Sequence, residues 1–305
     1  MTIFQSEPVK RCAKFLLKQI GFSALCLIMT IPFNVSAKSP DEKPASYPQR
    51  IISLSPILTE NIYLLEAEDR LIANTVYCVN PPEASQKEKV GTIMQANIEK
   101  IISLKPDLVL AISLTNPRQI KKLENLGIRV VRFVQPENFS QICQQFIRLG
   151  DIIGKGEKAR EIIDRVKKDV AAVVAKTENL PKKKVFFQIG IKPLFATTKE
   201  SFTNDYMVFG GGINIAANER NGVYSREKVV QENPDVIIIA MMGSEGAAGA
   251  KEKEIWMKLE SINAVKRNRI YIVDPDDVCS PSPATFVETL KKITKLIHPE
   301  ISLVE

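Results

Sequence analysis

The sequence predicts an α/β protein of two βα lobes, each with a mainly parallel central sheet, joined by a single long inter-lobe α-helix. Three observations carry this. Short runs rich in Ile, Val and Leu alternate with stretches of helical period, the pattern of βα units and parallel strands. From Glu157 to about Thr177 the alternation stops. There Ala159, Ile162, Ile163, Val166, Val170, Val173 and Val174 recur at three- and four-residue steps, one apolar stripe on one helix. Finally, a phrase occurs twice, 128 residues apart. The first copy reads Asn97-Ile98-Glu99-Lys100-Ile101-Ile102 and then Lys105-Pro106-Asp107-Leu108-Val109. The second reads Ser225-Arg226-Glu227-Lys228-Val229-Val230 and then Asn233-Pro234-Asp235-Val236-Ile237. Each is an N-cap residue, a glutamate two positions later, a short helix, a Pro-Asp turn and a buried strand.

Element by element, Arg50 to Leu54 reads as a buried strand, followed by a helix from Thr59 to Glu66 and a strand from Leu71 to Val76. A helix over Asn97 to Leu104, a strand over Leu108 to Ile112, a helix over Pro117 to Leu126 and a strand over Arg129 to Phe133 complete the first lobe, residues 50–150. The inter-lobe helix segment takes residues 151–180, with Gly154 and Gly156 at its start and Pro181 past its end. The second lobe, residues 181–305, has strands at Val185 to Ile189 and Leu194 to Thr197, and a helix from Ser225 to Glu232. A strand at Val236 to Ala240, a helix from Glu252 to Ser261, a strand at Ile270 to Val273 and a last helix from Pro283 to His298 follow. Gly210-Gly211-Gly212 lacks the spacing of a dinucleotide-binding loop and reads as a helix C-cap with a tight turn.

Residues 1–37 read as a cleaved export signal. Lys10, Arg11, Lys14 and Lys18 form a basic segment, Ile20 to Phe33 is apolar and uncharged, and Val35-Ser36-Ala37 is a small-residue cleavage site. The apolar run is shorter than the ~20 residues that span a bilayer. Leu25 precedes Cys26 where a lipid-attachment box has a small residue, so no lipid anchor is expected. Residues 38–49, with three prolines, read as a flexible leader. Removing the signal lowers the net charge from +7 to +4, with 38 basic and 34 acidic residues left. That mild excess, with no arginine-rich run, argues against nucleic acid as a partner. The 305 residues hold one histidine, His298, at the end of the last helix. It leaves no room for a Ser-His-Asp triad or a multi-histidine zinc or manganese site. Gly243-Ser244-Glu245-Gly246 does not meet the spacing of a hydrolase nucleophile elbow. The cysteines Cys78, Cys143 and Cys279 of the mature chain show no C-x-x-C spacing and leave their pairing open.

With these motifs the chain resembles the helical-backbone class (class III) of periplasmic substrate-binding proteins, the receptors of ABC importers for cobalamin, ferric siderophores and haem. The resemblance runs from about Arg50 to Glu300. It rests on Arg50-Ile51-Ile52-Ser53-Leu54-Ser55-Pro56 with Thr59-Glu60, Val90-Gly91 before Asn97-Ile98-Glu99, Leu104-Lys105-Pro106-Asp107-Leu108-Val109 and Leu126-Gly127-Ile128. In the second half it rests on Gly210-Gly211-Gly212-Ile213-Asn214, Trp256 with Ala264-Val265, Arg269-Ile270-Tyr271 and Ser282-Pro283. It implies a non-enzymatic, monomeric periplasmic receptor that takes a bulky metal chelate into the cleft between lobes and delivers it to a permease dimer, with no intrinsic cofactor.

The resemblance also implies roles for particular residues. Glu99 and Glu227 match the one glutamate per lobe that docks into arginine pockets of the permease, although an acid in the first turn of a helix is favourable by itself. Tyr77 and Phe195 match rings that pack on the corrin in cobalamin receptors, while Ile93 and Ile112 stand where those receptors have tryptophans. Met94 stands where a haem receptor of this class places an axial methionine and Met242 where it places a histidine, so both are candidate haem ligands or gap-fillers of the cleft wall. Arg118, Lys192, Lys199 and Arg220 are candidate partners for an anionic siderophore. The Asp274 to Asp277 loop, with three aspartates, reads as a cation or amide site or as a turn.

Overall fold

The computed structural model describes residues 47–241 and 247–303. The export signal, most of the leader and Met242 lie outside the described residues.

The first sheet is entirely parallel. Its strands are β1 (Ile51–Ser53), β2 (Leu71–Asn74), β3 (Glu88–Lys89), β4 (Leu108–Ile112) and β5 (Val130–Phe133), in the order β3-β2-β1-β4-β5. Helices α1 (Pro56–Leu64), α2 (Ile98–Ser103) and α3 (Pro117–Asn125) connect them. Helix α1 begins three residues before the sequence places it, because Pro56 fixes φ for the first helical position. Two long helices follow, α4 (Phe139–Ile153) and α5 (Gly156–Thr177), packed against each other. The turn between them needs Gly154. Its φ is 75°, a left-handed cap, and a β-carbon there would run into the Tyr47 ring. Residues 151–153 therefore close α4, and the 22-residue inter-lobe helix proper begins at Gly156.

The second sheet is built on β6 (Lys183–Gly190), which pairs with the antiparallel β7 (Phe195–Ala196) at one end. After α6 (Phe202–Phe209), β8 (Gly212–Asn214) pairs in parallel with the start of β6. Helix α7 (Arg226–Glu232) leads to β9 (Val236–Ile239), and α8 (Ala247–Met257) and α9 (Asn263–Lys266) lead to β10 (Ile270–Ile272). Strands β10 and β9 extend the sheet in parallel from β6. Helices α10 (Pro275–Cys279) and α11 (Pro283–Ile297) close the chain. The glycine triplet falls as the sequence predicts: Gly210 caps α6 and Gly211 turns at φ 80°. His298 is buried at the end of α11, its ring near the Gly211 carbonyl (3.4 Å) and Glu300 (3.0 Å).

Strand alternation explains how the lobes join. In β4, Leu108 and Leu110 face inward while Val109 and Ala111 face outward, and in β9 Val236 and Ile238 face inward while Ile237 and Ile239 face outward. The inward set from both sheets shares one core with α4, α5, α6 and α11. At its centre the Phe286 ring stacks between Phe139 (4.7 Å) and Tyr206 (4.5 Å), tying α11 to α4 and α6. The outward sets form two separate cores, under α2 and α3 in the first half and under α7, α8 and α9 in the second.

Candidate ligand-binding site

In parallel α/β sheets, ligand sites form at the carboxyl ends of the strands. Here those ends display exposed apolar side chains: Tyr77 and Val79 after β2, Met94 after β3, Leu114 after β4 and Val134 after β5. Met94, Leu114 and Val134 are each at least 60% exposed, far above the usual state of such residues. Beside them lies a cavity of 420 Å³. Its first wall is the N-terminus of α1 (Ser55 to Leu58) with Asn61, Ile93, Ile112 and the loops after β4 and β5. Phe202 at the start of α6 and Cys279 to Pro281 before α11 line the cavity as well. Both halves of the chain thus contribute.

None of the described residues lining this cavity carries a charge. The Cys279 thiol is pushed up to about 11, chiefly by burial and then by Asp276 and Asp274, so at neutral pH it stays protonated and offers no thiolate to a metal. The Asp274 to Asp277 loop is spoken for: Asp274 caps α10 by accepting from the Asp276 N–H (2.9 Å), and Asp277 pairs with Lys292 (2.7 Å). Among the described residues no cluster of three or more metal-ligating side chains exists, and Cys78, Cys143 and Cys279 are free thiols.

The structure brings some of the sequence candidates together. Ile93 and Ile112 line the cavity. Tyr77 and Met94 are exposed on strand-end loops of the same half. Phe195 lies half-buried on β7 against Gly190 and Val223, in the second half. Arg118 lies instead on α3, beside a shallow 370 Å³ concavity it shares with Lys121 and Lys122, and Lys199 donates to Asn218 (3.2 Å). Six further lining residues carry no motif in the sequence: Leu114, Val134 and Gln135 on the loops that follow β4 and β5, and Asn61, Gln145 and Phe202 on α1, α4 and α6.

The repeated phrase folds twice into one geometry. Asn97 caps α2 by accepting from the Lys100 N–H (2.9 Å), and Ser225 caps α7 by accepting from the Lys228 N–H (3.2 Å). Both turns pass through the left-handed region, Lys105 at φ 47° and Asn233 at φ 49°. The Asp107 carboxylate accepts from the Arg50 N–H (3.0 Å) and the Asp235 carboxylate from the Lys184 N–H (3.0 Å), so each Pro-Asp turn holds the entry to the central strand. The basic side chains reciprocate: Arg50 donates to the Leu104 carbonyl (2.6 Å) and Lys184 to the Glu232 carbonyl (3.0 Å). Glu99 and Glu227 stand exposed in the first turns. Each carboxyl is held below the ordinary carboxylate range by its own backbone N–H, with Lys122 helping at Glu99 and Ser225 at Glu227.

The periplasmic binding protein family model matches residues 51–276. The chain belongs to that family. Over 261 residues it is 32% identical to an uncharacterized ABC transporter substrate-binding lipoprotein of Bacillus subtilis, covering 83% of this chain and 81% of that one. Over 258 residues it is 31% identical to a vitamin B12-binding protein of Salmonella choleraesuis, covering 83% and 90%. A solved structure from Staphylococcus epidermidis, described as a possible iron-binding (periplasmic solute-binding) protein, matches with TM-score 0.75 at 26% identity, covering 83% of this chain and all of that one. The fold is that of the class III periplasmic binding proteins.

Proposed function

We propose that the protein is a non-enzymatic extracytoplasmic receptor that captures a bulky metal chelate between its lobes and delivers it to the permease dimer of an ABC importer. The observation that carries this reading is the apolar, uncharged cavity shared by both halves at the strand ends. Relatives named for vitamin B12 binding and for ABC transport support it. Within the chelates, the uncharged wall favours a corrinoid, whose rim is neutral, over an anionic ferric siderophore, since a buried anion needs a cationic partner. Tyr77, Ile93, Ile112 and Phe195 serve as the apolar contact set. Glu99 and Glu227, one per half, serve as the docking pair, charge-assisted ligands suited to bidentate arginine. The common inner core ties the halves together, so closure on the ligand is small. Export through residues 1–37 places the monomeric receptor outside the cytoplasm, and no helix among the described residues is long and apolar enough to cross a membrane.

The test is a spectral titration of the mature protein with cyanocobalamin, haemin and a ferric hydroxamate siderophore. Saturable cyanocobalamin binding, indifferent to Met94→Ala and Met242→Ala, is expected. A haemin Soret shift that disappears in Met94→Ala would replace the corrinoid with haem.

A further inference from the structure

Residues 75–87 carry the chain from β2 to β3 and display Val76, Tyr77 and Val79, which are 45%, 58% and 55% exposed. A tip that leaves its apolar side chains largely in water gains little hydrophobic stabilisation from them, so its shape has to be imposed from beneath. Two groups beneath it do so. Cys78 turns fully inward, its Sγ 3.2 Å from the hydroxyls of Thr75 and of Thr59 on α1. Lys89, at the end of β3, sends its Nζ to Asn74 Oδ1 (2.7 Å), the Ala84 carbonyl (3.1 Å) and the Cys78 carbonyl (3.3 Å). An ammonium has three protons, and here three oxygens take them. Asn74, buried at the end of β2, donates its Nδ2 to the same Ala84 carbonyl (2.9 Å). Its amide can face only this way, since Lys89 is a pure donor and the carbonyl a pure acceptor. The Glu88 carboxylate, next to Lys89 in sequence, pairs with Lys100 instead.

We infer that Lys89 is the positioning residue of this loop: it sets the tip from Val76 to Val79 in shape before a ligand arrives, so that Tyr77 is presented ready-made. One ammonium joins three points of the chain. These are the end of β2 through Asn74, the inward turn at Cys78, and the 3-10 turn Pro82–Gln86 through Ala84. Hydrogen bonds from a charged donor are stronger than neutral ones, and these are partly buried, away from competing water. With both sides of the loop tied at one atom, the tip between them has little freedom left. A ligand that packs on Tyr77 then loses less of its contact free energy to ordering the loop. The inference rests on the reading of Tyr77 as a ligand contact, while the tie at Lys89 is independent of which chelate binds.

Measurements without ligand test the tie, and titrations test its purpose. In ¹⁵N relaxation of the ligand-free wild-type protein, the amides of Val76 to Val79 are expected to show order parameters of about 0.85, the value of rigid backbone. Values below about 0.6 overturn the inference, and this test needs no variant to fold. Lys89→Met keeps the side-chain bulk and removes the three donors. In that variant, hydrogen exchange at the Cys78 and Ala84 amides is expected to quicken roughly tenfold while β4 keeps its wild-type protection. Unchanged exchange at both amides overturns the inference. For the purpose of the tie, Tyr77→Ala is made in wild type and in Lys89→Met. It is expected to weaken cyanocobalamin binding roughly tenfold in wild type and clearly less in Lys89→Met, where the ring is no longer presented. A merely structural lysine would leave the two losses equal, and equal losses overturn the positioning role. A wild-type protein that ignores cyanocobalamin removes the corrinoid reading alone, and the order parameters and exchange rates then decide on Lys89 by themselves.

Discussion

At the first repeat, the polar contacts around α2 lie near the surface, above its buried Ile98 and Ile101. Lys100 pairs with Glu88, both partly exposed, and the Gln119 side chain bonds both ways with the Ala96 backbone (3.2 and 2.8 Å). At the second, α7 starts on a buried polar network. Arg226, its first residue, pairs with Glu252, whose side chain is 1% exposed, and lays its guanidinium over the Trp256 ring at 4.5 Å from the centroid. Gln188 then links the Trp256 indole N–H (2.7 Å) to the Glu252 carboxylate (2.8 Å). Caps, turns and glutamate positions coincide between the copies, while the supports beneath them differ. Pseudo-symmetry therefore reaches the cap, the turn and the exposed acid of each copy. It does not reach the packing, which each half solves from its own side chains.

The largest expected effect comes from removing what the copies share. Reversing both acids, Glu99→Lys with Glu227→Lys, is expected to abolish uptake of the ligand in cells while the purified double variant binds it normally. Normal uptake would remove the docking assignment. A second variant exploits the difference. Glu252→Ala leaves Arg226 without its buried partner and is expected to cost about 3 kcal/mol in denaturant melts, whereas Glu88→Ala at the first corner should leave the melt unchanged within error. Equal losses at both corners would erase the contrast. The smallest effect concerns pH. The Glu99 and Glu227 carboxyls titrate below the ordinary glutamate value, so both are charged at neutral pH and lose that charge only as pH falls through the lowered value. Permease affinity should therefore be flat from pH 7.5 to about 5.5, and a drop in that window would mean that the acids are not held as described.

The repeat was legible because it is local: cap, turn and strand lie within 13 residues, and each step has a sequence signature. Strand β4 and the inter-lobe helix were legible for the same reason, one as an apolar run and the other as a long single stripe. Helix α4 was not assigned, although Phe139, Ile142, Cys143, Phe146, Leu149 and Ile153 form a stripe that the structure buries. Pro136 and Asn138 just before it carry turn chemistry and mask its start. Strands β3 and β8 have two and three residues, too few for a period to show. The helix read over Glu252 to Ser261 ends at Met257. At the cleft, Ile93 and Ile112 were placed by resemblance and line the cavity. Asn61 and Gln145 were invisible because each is a single polar residue on a helix, and only the fold shows that both line one cavity. Met242 lies outside the described residues.

Where the ligand sits is addressed most directly by the cyanocobalamin affinity of Leu114→Asp and Val134→Asp, measured beside the Glu99→Lys with Glu227→Lys double variant. The two cleft substitutions put a charge on the apolar wall and are expected to weaken binding at least tenfold, while the docking variant keeps wild-type affinity. Tight binding that survives both cleft substitutions would contradict the assignment of the site.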